Sequence, residues 1–491
     1  MRLKLPCTLA ACAALALPSV ALAGKFEKGP WLQNVTTDSI VVVWEATQVE
    51  SITPSVEYGL TTDYTEGVVD AAHADVNGHP VYTAAIAGLS AETTYHYRVR
   101  SGSAESLDAT FRTAPAAGAS GMRIYVVGDN RSNPSVWSTI ARLIHDDMNM
   151  HPDSRQTLIL NTGDVVADGR EYDDWDMLWP PAQAALRVLP LYVSFGNHED
   201  RGGDVADGYI YGYFDLPYST SGSTDEKWYS LAHGNVHVTA ISLYDDAGYT
   251  SGEQYDWIVS DLAAAAADAD TAWTVGLMHF TPWSLGSHDE ADAATVRDTF
   301  HPLFRDNGVQ IVFGGHNHIY ARYEPVEGVT YITCGGAGAS LHTDAYDAWS
   351  GATLAHFAGI HSFCIVDVGD DVMAVRAVDL EGAVFDRVTL GGTETDRPPF
   401  AEAGPPTMTA VGEAVTLDGS GSFDPEDAAL AHAWTQIEGP SAVLDDETSA
   451  TPSFTPAAEG RHTFELIVSD GTNSSAPDYA VVDVHAGVLR F

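Results

Sequence analysis

Basic residues are scarce in this chain. Its 491 residues contain 23 Lys and Arg against 68 Asp and Glu, which gives a formal net charge of −45. A surface of this sign repels duplex nucleic acid and anionic membrane, so we expect neither as a partner. A small anionic ligand would bind only where positive charge is concentrated locally, and bound metal ions provide such a charge.

Long apolar runs are also lacking after the N-terminus. No later stretch reaches the length of about 18 apolar residues that a membrane span needs. The first 23 residues combine a short basic end, an apolar run and the small-residue site Ala21-Leu22-Ala23. This pattern predicts a secretory signal at 1–23, cut near Gly24, and a secreted or periplasmic mature chain. A lipoprotein attached through Cys12 is the second alternative, since further apolar residues follow that cysteine.

Cysteine is rare as well, and two of the four cysteines lie within the signal. Cys334 and Cys364 remain, each in an apolar, strand-like stretch. Export permits a disulfide between them, and two buried thiols are an equal alternative. The sequence leaves both open.

The length indicates about three domains. Residues 26–114 hold short alternating strands and turns, which is typical of a β-sandwich. Over 121–391, strands alternate with helical stretches, and this predicts an α/β domain with helices on both faces of a sheet. Strands and turns return over 398–487 after a Pro-rich linker, which predicts a second all-β domain.

Residues of the kinds that bind metals follow five apolar strands of the α/β segment, where sites form in such sheets. They are Asp129, Asp164, the run Asn197-His198-Glu199, His279, and the pair His316 and His318. Glycines before several of them let the backbone approach an ion, and imidazoles with one residue between them can face two different ions. Five such strand ends in order predict a metal site, and the oxygen and imidazole donors suit Zn, Mn, Fe or Co.

This ordered set resembles the calcineurin-like metallophosphoesterase superfamily. With GPWLQNVTTDSIVVVWEA in the N-terminal segment, the chain from about Phe26 to Leu390 looks most like the purple acid phosphatase branch. The resemblance implies a metallophosphoesterase sandwich of mixed β-sheets flanked by helices, between two all-β immunoglobulin- or fibronectin-like sandwiches. It also implies two divalent or trivalent ions, Fe, Zn or Mn. The implied ligands are Asp129, Asp164 and His318 for the first ion, and Asp164, Asn197, His279 and His316 for the second.

Further residues have roles toward the phosphate ester. By resemblance, His198 protonates the leaving oxygen or stabilises the transferring phosphoryl group, and Glu199 orients it. Arg131 could bind the phosphate with its planar fork. Arg322 and His288 are further candidates for substrate contact. The alternatives for these two are a structural ion pair and a solvated loop histidine.

The chain departs from the family at two positions. Purple acid phosphatases carry Gly-Asp-x-x-Tyr, whose tyrosinate holds a ferric ion and gives the colour, whereas Ala167 stands at that position here. Other superfamily members have a histidine two residues after the first aspartate, where this chain has Arg131. We therefore expect no tyrosinate colour and a weaker or water-completed first site.

The two β segments resemble known modules. Trp44, with Leu89 leading to Tyr95 and Tyr97, is similar to the core tryptophan and tyrosine corner of fibronectin type III-like domains. Leu417-Asp418-Gly419-Ser420, Trp434 and Val468-Ser469-Asp470-Gly471 resemble a PKD-type immunoglobulin-like module. We expect both to be spacers, with weak surface or glycan contact through the PKD-like domain as the alternative.

These features predict an exported binuclear metal-dependent phosphohydrolase that acts on a small phosphorylated substrate. The resemblance implies in-line attack by a metal-bridging hydroxide. A phosphodiesterase or nucleotide hydrolase of the same superfamily is one alternative. A non-catalytic cell-surface binding protein with a degenerate site is the other.

Overall fold

The computed structural model describes residues 26–47, 53–102, 104–150, 155–199, 209–218, 221, 227–244, 248–283, 290–343, 352–392, 398–426 and 428–486. The predicted signal at 1–23 and the candidate His288 lie outside these residues. Within the described part, no helix has the length and apolar character needed to cross a bilayer.

The N-terminal segment folds into two antiparallel sheets, one ordered β1-β2-β6-β5 and the other β4-β3-β7-β8 with β9 beside β7. Trp44 is fully buried, and the hydroxyl of Tyr95 accepts a 3.0 Å hydrogen bond from the N–H of Ser90. Trp44 and Tyr95 are two of the residues that the sequence analysis singled out in this segment. The strands are β1 Phe26–Gln33, β2 Ser39–Ala46, β3 Ser55–Gly59, β4 Gly67–Asp70, β5 Ala72–Val76, β6 His79–Ala87, β7 Thr94–Ser101, β8 Ala104–Glu105 and β9 Ala109–Arg112.

The central segment contains two mixed sheets. One has the order β12-β11-β10-β20-β21-β22, and the other has the order β13-β14-β15-β16-β18-β17-β19. Strands β10, β11 and β12 pair in parallel, as do β14, β15, β16 and β18. The strands are β10 Met122–Val127, β11 Arg155–Asn161, β12 Leu191–Val193, β13 Tyr229–His233, β14 Val236–Ile241, β15 Trp273–Met278, β16 Ile311–Gly314, β17 Tyr320–Tyr323, β18 Thr330–Cys334, β19 Leu354–Ala358, β20 Ser362–Val368, β21 Val372–Asp379 and β22 Val384–Gly391.

Helices connect the parallel strands. Helix α1 begins at Pro134, the first helical position that the Asn133-Pro134 pair predicts, and it buries Ile140 and Ile144. Helix α5 contacts β14 and β15. The helices are α1 Pro134–Met150, α2 Tyr172–Trp175, α3 Gln183–Leu186, α4 Ile210–Tyr213, α5 Glu253–Ala267 and α6 Glu290–Asp306.

The C-terminal segment returns to strands, ordered β23-β28-β27-β25, beside the short pair β24-β26. Trp434 lies in a separate core there. An ion pair of 3.1 Å between Arg376 on β21 and Glu402 connects this segment to the central one. The strands are β23 Thr407–Ala410, β24 Val415–Thr416, β25 Ala431–Glu438, β26 Ser453–Phe454, β27 Gly460–Ser469 and β28 Asp478–His485.

The N-terminal and central segments share buried contacts. The rings of Trp31 and Trp179 stack with centroids 4.2 Å apart, and Trp31 Nε1 donates a 3.1 Å hydrogen bond to the carbonyl of Tyr213. Lys28 is buried over the ring of Tyr172, 3.7 Å from its centroid. Because large aromatic rings are excluded from water on both sides, the N-terminal sandwich is packed against the central segment.

The predicted fold class, an α/β segment of mixed sheets between two all-β segments, is confirmed. One expectation needs correction. The alternation of strands and helices indicated a single sheet, but the strands that precede the candidate ligands are divided between two sheets. Cys334 on β18 and Cys364 on β20 are free, buried thiols whose Sγ atoms lie 3.5 Å apart.

Candidate metal centre

The loops after five parallel strands bring the candidate ligands together. Asp129, Asp164 and Asn197 follow β10, β11 and β12 of the six-stranded sheet. His279 follows β15, and the pair His316 and His318 follows β16, in the seven-stranded sheet. Because the carboxyl ends of parallel strands meet at one edge, the two sheets present these side chains to each other.

Unusual backbone geometry turns three of these side chains inward. Asp129, Asp164 and His316 have φ angles of 55°, 55° and 67°, in the left-handed region that non-glycine residues rarely occupy. Each such residue costs about 1–3 kcal/mol, and such conformations cluster at functional sites. The three positive φ angles therefore lower local stability, and they are consistent with a site in which the positions of the ligands matter more than that cost.

Asp129, Asp164 and His318 form the first candidate cluster. Their ligand atoms lie within 4.8 Å of one another, and all three residues are buried. Within the described residues, Oδ1 of Asp129 has no hydrogen-bond partner, and Nε2 of His318 lies 3.6 Å from it. Burial, followed by the charge of Asp164, raises the pKa of Asp129 well above its usual value. A buried carboxylate oxygen without a donor is costly, and a cation would compensate it.

The second candidate cluster combines Asp164 with Asn197, His279 and His316. Nδ1 of His279 lies 2.8 Å from the carbonyl oxygen of Thr162. A carbonyl oxygen can only accept, so Nδ1 carries the proton and Nε2 of His279 presents a lone pair. That Nε2 lies 3.2 Å from Oδ1 of Asn197 and 3.3 Å from Oδ1 of Asp164.

His316 completes this cluster, with Nδ1 3.0 Å from Oδ1 of Asn197 and 3.1 Å from Nε2 of His279. Burial lowers the pKa of His279, which favours the neutral imidazole. The pKa of Asp164, which burial raises, is lowered overall by His279, His198 and Arg131. The lone pair on Nε2 of His279 therefore faces the oxygen lone pairs of Asn197 and Asp164, and a cation among them would turn their repulsion into attraction. The residues fit a metal ion.

His198 lies at the edge of the two clusters. Its Nδ1 contacts the carbonyl oxygen of Ala167, so Nδ1 carries a proton. Its Nε2 lies 3.6 Å from Oδ2 of Asp164, and the side chain is 8% exposed. The imidazole is thus oriented by a backbone carbonyl, with Nε2 directed toward the candidate ligands.

The predicted role of Glu199 needs correction. It was expected to orient His198, but its carboxylate lies among backbone N–H groups of the loops that carry Asp164 and Asn197. Glu199 follows His198 directly in the chain, and its side chain enters these loops. The donors are the N–H groups of Asp164 at 2.9 Å, Val165 at 2.8 Å, Val166 at 3.4 Å and Gly196 at 2.8 Å.

Both candidate arginines have protein partners. Arg322 makes two hydrogen bonds to Asp386, from Nε at 2.7 Å and from Nη2 at 3.0 Å. This geometry matches the structural ion pair that was the alternative to substrate contact. Nε of Arg131 donates to Oδ2 of Asp164 at 3.1 Å, and its Nη2 lies 3.2 Å from Nε2 of His318. Arg131 therefore lies within the first cluster.

Sequence reasoning missed His342. Its ring stacks on that of His318, with centroids 4.6 Å apart and an interplanar angle of 28°, and the backbone N–H of His342 donates to the carbonyl of His318 at 3.1 Å. The sequence did contain an indication of this residue. A Gly-Gly pair, Gly335-Gly336, follows β18, just as the pair Gly314-Gly315 stands at the end of β16 before His316. Polar residues after that second Gly-Gly pair were therefore also candidates.

Family models match three segments of the chain. The model for the calcineurin-like phosphoesterase matches residues 122–320, which contain both clusters. Over this segment the chain is therefore similar to calcineurin-like phosphoesterases. The model for the purple acid phosphatase N-terminal domain matches residues 30–113, and a PKD domain model matches residues 403–484.

Similar proteins agree with these matches. Purple acid phosphatase 15 of Arabidopsis thaliana is 30% identical over 282 residues, which are 51% of this chain and 51% of that protein. An uncharacterized protein of Mycobacterium tuberculosis is 28% identical over 333 residues, 60% of this chain and 61% of its own length. The chain thus spans about half the length of the first of these relatives.

Two solved structures share the fold of about three quarters of the chain. The purple acid phosphatase PPD1 from yellow lupin (Lupinus luteus) seeds has a TM-score of 0.61 at 19% identity, covering 74% of each chain. PhoD has a TM-score of 0.53 at 13% identity, covering 75% of this chain and 90% of its own. At these identities the likeness concerns the fold alone.

Proposed function

We propose that this protein is an exported, metal-dependent hydrolase of phosphate esters. The observation that carries the proposal is the set of lone-pair atoms in the second cluster, where Nε2 of His279 lies 3.2 Å from Oδ1 of Asn197 and 3.3 Å from Oδ1 of Asp164. No proton lies between these atoms in the tautomer that Thr162 selects. In a non-catalytic binding protein, buried lone pairs that face one another without a donor would be unfavourable and would serve no purpose.

Two groups of residues would hold the ions. Asp164, Asn197, His279 and His316 would hold one, and Asp129, Asp164 and His318 the other. When bound, such ions supply Lewis acidity toward phosphoryl oxygens and a nucleophile at neutral pH. We propose Fe, Zn or Mn, since oxygen and imidazole donors suit these metals. Ala167 offers no phenolate, so we expect no tyrosinate colour.

His198 would donate a proton to the leaving group. Its Nδ1 proton is engaged with the carbonyl of Ala167, so a proton passed to an ester oxygen must come from Nε2. That nitrogen lies 3.6 Å from Oδ2 of Asp164, on the side of the candidate ligands. His198 is therefore suited to act as a general acid toward a phosphate ester placed against the ligands.

The local charge explains why ions are required. Asp164 is a buried carboxyl group whose pKa is lowered overall, which favours its charged form, and the whole chain has a net charge of −45. A phosphate ester would be repelled by these negative charges unless cations stand between them and the ester. Arg131 supplies one positive charge at the site. We infer that hydrolysis depends on added divalent or trivalent ions.

The remaining parts of the proposal rest on sequence patterns. We propose a cleaved signal at 1–23, followed by domains at 26–114, 121–391 and 398–487. The described strands and the family matches support this division. The two β domains would be spacers, with weak surface or glycan contact through the C-terminal one as the alternative.

The test is hydrolysis of p-nitrophenyl phosphate and bis(p-nitrophenyl) phosphate by chelated protein to which Mn, Zn or Fe is restored. Chelation should abolish activity and restoration should recover it. Asp164→Ala and His279→Ala should each lower kcat by a factor of about 100 or more, since each removes a ligand. Comparing the two substrates also separates phosphomonoester from phosphodiester preference.

A matched control is His485→Ala, which removes an exposed histidine of β28 far from the ligands in the fold. It should retain wild-type activity. Circular dichroism and thermal unfolding of each variant establish that loss of activity is not loss of fold. Activity that survives chelation and both ligand substitutions would refute the proposal.

A further inference from the structure

The guanidinium of Arg131 occupies the first cluster. Its Nε donates to Oδ2 of Asp164 at 3.1 Å, and its Nη2 lies 3.2 Å from Nε2 of His318. These are two of the three residues that would hold the first ion. The arginine side chain is only 16% exposed, so it is held among the ligands.

The tautomer of His318 determines which of its ring nitrogens can accept the hydrogen bond from Arg131. Nδ1 of His318 lies 2.7 Å from the carbonyl oxygen of Ser340, so Nδ1 carries the proton. Nε2 then has a single lone pair, and it accepts the hydrogen bond from Arg131. A metal ion would need that same lone pair. Coordination by His318 and its hydrogen bond to Arg131 are therefore mutually exclusive.

The second cluster differs in this respect. Nε2 of His279 faces the acceptor atoms of Asn197 and Asp164, and within the described contacts no arginine donates to it. A cation could enter there without displacing a protein cation. At the first cluster, by contrast, an ion would meet both an occupied imidazole and the positive charge of a guanidinium that is hydrogen-bonded to the shared carboxylate.

We propose that Arg131 acts as a built-in cation that replaces the ion of the first cluster, so that the protein holds one ion tightly, in the second cluster. This inference rests on the proposed function and deepens it. Arg131 neutralises Asp164 and fixes His318, and a second ion binds only when the arginine side chain moves away. The difference from the expected pair of ions arises because arginine occupies the position two residues after Asp129, where other members of the superfamily that the chain resembles have a histidine.

The experiment is metal stoichiometry. Wild-type protein is saturated with Mn or Zn, dialysed, and analysed by inductively coupled plasma mass spectrometry, and titration calorimetry gives the affinity of each ion. We expect one retained ion per wild-type chain. Arg131→His, which offers an imidazole in place of the guanidinium, should retain two. Arg131→Met, which keeps side-chain length without charge, should bind the second ion about tenfold or more tightly than wild type.

Arg142→Met is the matched control, because Arg142 is an exposed arginine of α1 and its ion pair is with Asp146. It should retain one ion. Two ions of similar affinity in the wild type, unchanged in Arg131→Met, would overturn this proposal while leaving the proposed function intact. A wild-type chain that binds no ion would overturn both. If Arg131→His fails to fold, the wild-type stoichiometry and Arg131→Met still decide the matter.

Discussion

The carboxylate of Glu199 accepts a hydrogen bond of 2.9 Å from the backbone N–H of Asp164. The same oxygen accepts a 2.8 Å hydrogen bond from the N–H of Gly196, which precedes Asn197. One buried side chain thus joins the loops after β11 and β12, each of which carries a candidate ligand. Glu199 would act on the site through the position of these ligands, without touching the substrate.

We expect Glu199→Gln to lower stability and metal affinity together. The glutamine NH₂ group would face backbone N–H groups that now donate to a carboxylate oxygen, so at least one buried donor would lose its acceptor. The loss should be about 1–3 kcal/mol in the free energy of unfolding. Chemical denaturation with and without metal measures both effects. Glu459→Gln, at an exposed position, should stay within about 0.5 kcal/mol of wild type.

Gly315 should tolerate no side chain. A Cβ atom at this position would lie 2.2 Å from Oδ2 of Asp129 and 2.5 Å from Oγ1 of Thr162. Gly315→Ala must therefore displace the Asp129 carboxylate, and a displacement of about 1 Å can cost about 100-fold in rate. The N–H of His316, a second-cluster residue, donates to the same carboxylate at 2.8 Å, so we expect a corresponding fall in kcat/KM and weaker retention of the ion in the second cluster.

Gly276→Ala is the control for this substitution. Gly276 lies within β15, where a Cβ atom would meet the side chain of Val312 at 3.1 Å. It should lower thermal stability while metal retention stays near that of the wild type. Equal metal retention in Gly315→Ala and the wild type would show that the Asp129 carboxylate does not position His316 for the ion of the second cluster.

The ligand set could be predicted from sequence because its signals are local. Asp129, Asp164 and His279 each lie within three residues of the end of an apolar strand, and parallel strands end at a common edge. The structure brings these residues together as that rule requires. This prediction did not depend on the order of the strands. The ligand set therefore stayed the same although the strands form two sheets and not one.

The partners of the charged residues could not be predicted in the same way. Arg131 and His318 are 187 positions apart, and Arg322 and Asp386 are 64 apart. No sequence pattern connects such pairs, since their contact depends on the packing of one sheet against the other. Glu199 was assigned to His198 because the two are adjacent in the chain, yet adjacent side chains can point to different partners.

Arg322 should behave as a structural residue. Its two hydrogen bonds to Asp386 have the fork geometry that lysine cannot reproduce, and Tyr320 donates to the same carboxylate at 2.7 Å. We expect Arg322→Lys to lower the free energy of unfolding by about 1–3 kcal/mol with KM unchanged. Thermal unfolding and steady-state kinetics with p-nitrophenyl phosphate measure the two effects. A raised KM without loss of stability would instead make Arg322 a substrate contact.

The buried His233 should make stability depend on pH. Neither ring nitrogen has a hydrogen-bond partner among the described residues, and burial lowers its pKa from 6.5 to about 4. As pH falls below 6.5 the unfolded chain binds the proton first, so this contribution to stability is complete above pH 6.5 and is lost progressively toward pH 4. Between pH 8 and pH 5 the loss is about 2 kcal/mol.

His233→Leu removes the titrating group and its unpaired nitrogens. We expect the difference in unfolding free energy between pH 8 and pH 5 to shrink by about 2 kcal/mol relative to wild type, because leucine binds no proton in either state. Urea denaturation at the two pH values measures it. The control is His485→Leu, at an exposed position, which should keep the wild-type difference. Since His233 lies on β13 at the edge of the seven-stranded sheet, an unchanged difference in His233→Leu would mean that water reaches the ring there and that the histidine is protonated equally well in both states.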